Sequence, residues 1–95
     1  MKKFVFLYCG LSGAADAQAE WISWFDSIAE SLVDGGNPFA AGRYVGRTGV
    51  TDLAVDDNSI IGYSIVSAPT LEDAERIAAG SPAVSGVQVF EALPM

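Results

Sequence analysis

Ninety-five residues carry twelve acidic and five basic side chains, a formal net charge of −7, and 51% of them are hydrophobic, with a mean hydropathy of +0.32. That length allows one domain, residues 1–95, and the acidic balance repels phosphate backbones, which argues against nucleic-acid binding. With no histidine at all, the chain lacks the commonest neutral-pH base and the commonest metal ligand, and no cofactor or metal is expected.

Apolar runs reach only about five or six residues, well short of the ~20 that span a bilayer, so no membrane association is expected. Lys2 and Lys3 precede a short apolar stretch without a small-residue cleavage signal, so it does not read as a signal peptide. Cys9, the sole cysteine, has no partner for an internal disulfide, and a cytoplasmic setting is expected.

In chain order, KKFVFLYC is predicted to be a strand, with Phe4, Phe6 and Tyr8 on one face and Val5, Leu7 and Cys9 on the other. GLSGAAD breaks it. Asp16 reads as a helix N-cap with Glu20 following. Trp21, Phe25, Ile28 and Leu32 recur at steps of four, three and four, an apolar helical stripe widened by Trp24. The helix is expected to end near residues 33–36, where Gly35 and Gly36 permit a left-handed terminus. Pro38 then forces an extended exit.

AAGRYVGRTGVTDLAV is expected to form a strand or hairpin, the Asp56-Asp57-Asn58 run a turn, and SIIGYSIVS, apolar on both faces, a central strand. Thr70 with Asp73 approximates a capping box for a second helix. Leu71, Ala74, Ile77 and Ala78 supply its stripe, and Gly80 its end. GVQVFEALPM is a last strand.

The order β-α-β-β-α-β is the α+β, ferredoxin-like pattern, a four-stranded antiparallel sheet with both helices on one face. The strands remain apolar on the second face, and nothing in the chain is left to cover it. A two-fold homodimer through that open face, with the two sheets face to face, is the simplest expectation.

With that order established, GYSIVSAPTLEDAERIAAGSPAVSGVQVFEALPM resembles the C-terminal half of YCII-related proteins of the dimeric α/β-barrel superfamily. A Gly-aromatic strand runs into a Thr-Leu-Glu-Asp-Ala helix, a Gly-Ser-Pro turn and a final strand that holds a Glu. KKFVFLYCG resembles the family's first strand. The resemblance implies a ferredoxin-like protomer, a homodimer and a cleft between sheet and helices. The His-Asp pair proposed for some members has no counterpart here, since there is no histidine and Ser81 stands where the acid would.

Tyr8, Trp24, Arg43, Tyr63 and Ser81 are the candidate ligand-binding residues. Trp24 lies about 60° off the helical stripe and so reaches a pocket mouth or simply packs. Arg43, on one extended face with Arg47, reads as an anion clamp or as an edge-strand charge. Tyr63 and Glu91 are the proton-handling candidates. A Glu between Phe90 and Ala92 is a desolvated base or else one half of an ion pair, with an arginine across the dimer the expected partner. Cys9 has no neighbouring base and reads as a small buried hydrophobe.

Three functional readings follow. The first is a protein that binds a small anionic or aromatic molecule in a cleft. The second is a cofactor-independent enzyme, monooxygenase- or isomerase-like, and the third a non-catalytic dimerising accessory domain.

Overall fold

The computed structural model describes residues 1–10, 17–54, 56 and 58–95. In chain order the elements are β1 (Lys2–Cys9), α1 (Ala17–Ser27), β2 (Leu32–Asp34), β3 (Arg43–Val45), β4 (Val50–Asp52), β5 (Ile60–Ala68), α2 (Leu71–Ala79) and β6 (Gly86–Ala92). One antiparallel sheet has the order β2-β5-β1-β6, and β3 and β4 form a separate two-stranded hairpin. The two longest strands, β1 and β5, lie at the sheet's centre, where residues apolar on both faces are best accommodated.

Alternation along β1 puts Phe4, Phe6 and Tyr8 on the helix side. They share one core with Trp24 of α1, Val66 and Ala68 of β5, and Ala74 and Ala78 of α2. Both helices therefore cover the same face, as the element order requires. Val5 and Leu7 point the other way, registered against Ile65 and Tyr63 of β5, and Val5 also against Phe90 of β6. Phe90 is 54% exposed.

The N-terminal half departs from the sequence reading. Helix α1 ends at Ser27 rather than near residues 33–36, and its expected N-cap, Asp16, lies outside the described residues. Ser27 Oγ donates to Trp24 O at 2.6 Å, a local alternative to the helical ladder. From Ala29 onward the bonds span three residues instead of four: Ala29 N to Asp26 O, Ser31 N to Ile28 O and Leu32 N to Ala29 O. Leu32 is thus not the helix's last apolar step. It pairs with Val66 and opens β2, the second strand of the sheet, while the segment expected to supply that strand folds into the detached β3–β4 hairpin.

Gly36 does adopt the left-handed region, φ +74°, but as the corner after β2 and not as a helix cap. A Cβ there would strike the Tyr63 carbonyl oxygen. The chain beyond it stays alongside β5, with Tyr63 N donating to Asn37 O at 3.3 Å and Phe39 N to Ile61 O at 2.6 Å.

The C-terminal half follows the reading closely. Thr70 is the N-cap of α2. Its hydroxyl accepts from Asp73 N at 3.2 Å and donates to the Asp73 carboxylate at 2.9 Å. Gly80 caps the other end. Leu71 alone leaves the expected stripe and is 49% exposed. Thr70→Ala is expected to lower stability by about 1 kcal/mol and Thr70→Ser to leave it nearly unchanged, measured from urea midpoints. Equal midpoints for Thr70→Ala and wild type would show the cap to be idle. In the turn before β5, Asp56 Oδ1 accepts from Asn58 N at 2.9 Å, and Asp57 lies outside the described residues.

Candidate functional site

The site originates in one strand pair. Tyr8 of β1 is registered against Gly62 of β5, so the neighbour facing Tyr8 on the helix side has no side chain. Just beyond, the register slips so that Cys9 pairs with Ile60, which leaves Ile61 as the extra residue of a bulge. A bulge re-aims side chains, and Ile61 packs against the helix-side core. The space above Gly62 is roofed by Trp21 and Phe25 of α1 and walled by residues 35–38 and Gln18. The resulting cavity measures about 360 Å³, inside the range of small-molecule sites.

Its wall along β2 is pinned from beneath. Ser64, fully buried, donates from Oγ to Gly35 O at 2.7 Å. Its aromatic roof is a connected cluster: Tyr8 meets Trp21 edge-on with centroids 4.8 Å apart and Trp24 at 5.7 Å, while Trp21 and Phe25 lie 5.8 Å apart.

Tyr8 is the deeply buried polar group of a lining that also holds the amides of Gln18 and Asn37. It is 3% exposed, and its hydroxyl makes no hydrogen bond to the described residues. Burial pushes the phenol from 10.0 up to about 12; the neighbouring Ser64 hydroxyl opposes the rise, although its own proton goes to Gly35 O. Below about pH 10 the phenol is protonated in folded and unfolded chains alike, so it gives no pH dependence. Between pH 10 and 12 the unfolded chain loses this proton first, and stability falls as pH rises. Urea unfolding at about pH 9 and about pH 12 is expected to show wild type losing about 2 kcal/mol more than Tyr8→Phe. Identical losses in both proteins would remove Tyr8 as the cause.

The residues singled out from sequence are dispersed. Tyr8 lines the cavity. Trp24 sits in the core behind it, 7% exposed, rather than at its mouth. Tyr63 borders it, but register with Leu7 sends its ring to the opposite face of the sheet, where it stacks on Phe39 with centroids 5.7 Å apart. Arg43 is in the hairpin, paired with Asp52 at 3.0 Å, with a side chain 72% exposed, and does not line the cavity. Ser81 lines a shallower pocket of about 280 Å³ between α2 and β6. Glu91 meets Lys2 of the same chain at 3.4 Å. Cys9 is buried, with Sγ 3.7 Å from Leu7 O. Among the described residues no three His, Cys, Asp or Glu side chains gather as a metal site would need.

Trp21, Phe25, Ile61 and Gly62 were read only as core or strand residues. One available signal was Gly62 itself, because a glycine inside a central strand marks a close backbone approach or a ligand. The close approach holds here, since an added Cβ would lie 3.1 Å from Asn37 O, and Gly62 also lines the cavity.

No family model matches the chain, and no curated protein matches it. Among described residues no helix is long and apolar enough to cross a membrane. Among solved structures the chain is similar to 5-chloro-2-hydroxyhydroquinone dehydrochlorinase (TftG) from Burkholderia phenoliruptrix AC1100, determined in complex with 2,5-dihydroxybenzoquinone. The TM-score is 0.58 at 12% identity, over 98% of this chain and 95% of that one. At that identity the likeness establishes the fold: this chain shares with the dehydrochlorinase an α+β, ferredoxin-like architecture of two helices on an antiparallel sheet.

Proposed function

We propose that this protein, a single-domain member of the YCII-related group of dimeric α/β barrels, binds a small molecule in the cavity between α1 and β5. The observation that carries the reading is the cavity itself: about 360 Å³, with Trp21 and Phe25 above, Gly62 below and one buried, unmatched hydroxyl at Tyr8. The shared fold with a protein solved with a bound quinone supports a ligand in such a domain. A thermal-shift screen with carboxylates, quinones and polyphenols tests it. At least one compound is expected to raise the unfolding midpoint of wild type, with the shift lost in Trp21→Ala when each is measured from its own baseline. A screen without any stabilising compound sinks the reading.

The enzyme reading draws support from the same neighbour, a dehydrochlorinase. Tyr63 and Glu91 remain the proton-handling proposals for it, although Tyr63's ring and Glu91 lie away from the cavity. Turnover that survives both Tyr63→Phe and Glu91→Gln would dismiss them. A homodimer through the open sheet face is supported by the Val5, Leu7, Ile65 and Phe90 row. Light scattering at micromolar concentration that returned the single chain's 9.9 kDa would refute it. The lone, unbridged Cys9 supports a cytoplasmic setting.

A further inference from the structure

We infer that the α1–β5 cavity selects an uncharged, flat ring bearing a hydrogen-bond-accepting oxygen, and that the Tyr8 hydroxyl is the group that recognises that oxygen. The inference rests on the small-molecule reading above and narrows it.

Three observations converge. The first is the orphaned donor. Tyr8 is 3% exposed, lines the cavity, and its hydroxyl has no partner among the described residues. Ser64, the neighbouring hydroxyl, spends its proton on Gly35 O at 2.7 Å, and its oxygen does not meet the phenol with hydrogen-bonding geometry. A buried polar group left unmatched costs free energy that an incoming acceptor recovers. Like any phenol, Tyr8 keeps its proton through the neutral range, and burial only widens that margin, so its O–H is available as a donor.

The second is charge. The chain has five cationic side chains, Lys2, Lys3, Arg43, Arg47 and Arg76, and none of them lines the cavity. Lys2, Arg43 and Arg76 are each paired with a carboxylate elsewhere. A carboxylate or phosphate entering this mostly apolar space would lose its hydration with only the neutral amides of Gln18 and Asn37, and no cation, to replace it, on a protein of net charge −7. That turns the anionic half of the ligand expectation away from this cavity. The third is shape. The indole of Trp21 and the ring of Phe25 provide flat apolar surface, and Gly62 opposite Tyr8 leaves the strand beneath without a side chain.

A three-compound titration on one ring decides the matter: acetophenone, which has a carbonyl; ethylbenzene, the same shape without an acceptor; and benzoate, the same ring as an anion. Binding is followed through the indole N–H NMR resonances of Trp21 and Trp24, in wild type and in Tyr8→Phe. Removing an unmatched hydroxyl leaves the fold intact, and unfolding midpoints check this. Wild type is expected to bind acetophenone about tenfold more tightly than ethylbenzene, and benzoate most weakly. Tyr8→Phe should erase the acetophenone preference while ethylbenzene binds as before. If acetophenone and ethylbenzene bind wild type equally, or the preference persists in Tyr8→Phe, Tyr8 recognition is overturned while the cavity as a site stands. Benzoate binding tightest overturns the neutral-ligand assignment. If none of the three binds, the inference fails together with the site reading beneath it.

Discussion

Phe6→Ala is expected to bring the chain to the edge of unfolding. Phe6 is wholly buried, sits at the middle of the central strand between Ser64 of β5 and Val89 of β6, and touches Tyr8 edge-on with centroids 6.4 Å apart. Truncating a buried phenylalanine costs about 3–5 kcal/mol through lost burial and the void left behind. A small domain has only about 5–15 kcal/mol in total, and one of this length sits toward the lower end. The void would not collapse easily, because its walls are backbone hydrogen bonded on both sides. Chemical denaturation should show a midpoint near zero denaturant, or a chain already unfolded at ambient temperature. Phe6→Leu, which keeps most of the volume, should recover much of the loss. A Phe6→Ala protein within about 1 kcal/mol of wild type would mean the core lies elsewhere.

Gly36→Val comes next in size and acts by a different route. At φ +74° a side chain of L chirality is strained, by roughly 1–2 kcal/mol even without a collision, and a β-branched one by more. Here the added Cβ is also aimed at the Tyr63 carbonyl, backbone that cannot turn aside as a flexible side chain would. Relief requires residues 36–39 to peel away from β5, breaking the Tyr63 N to Asn37 O and Phe39 N to Ile61 O bonds. Since residues 35–38 form one wall of the cavity, loss of stability and loss of ligand binding should appear together. Urea midpoints combined with the indole NMR titration measure both. A Gly36→Val protein that is stable and still binds would contradict this account of the corner.

The C-terminal half was legible because local signals and tertiary structure agree there. Thr70, Asp73 and Gly80 mark the ends of α2 by their own hydrogen bonds, and Ile60–Ala68 is apolar on both faces because it is central. The N-terminal half misled for a physical reason. Leu32 packs against the same core whether it closes a helix or opens a strand, so the four-three-four spacing carried it past the true end at Ser27. The turn over residues 28–31 uses neither glycine nor proline, so nothing local announces it. The site was only half legible. Tyr8 could be suspected from its place near the end of the first strand, but the cavity exists because Gly62, fifty-four positions later, falls opposite Tyr8 after strand pairing. Pairing across that separation is not written in any local window. Arg43 reads from sequence as an anion clamp or an edge-strand charge, yet among the described residues its segment joins no strand of the main sheet.

That detached hairpin bears on how the protein can change. Among the described residues β3 and β4 pair with each other and with no other strand, every residue of both is exposed, and Leu53 N closes their base by donating to Gly42 O at 3.0 Å. The sheet, the core and the cavity are complete without them. The stretch from residue 42 to residue 53 is therefore an appendage whose length and sequence can drift, or be exchanged for a foreign segment, while the binding chamber stays under separate constraint. Two traits encoded in one short chain are thereby free to vary independently.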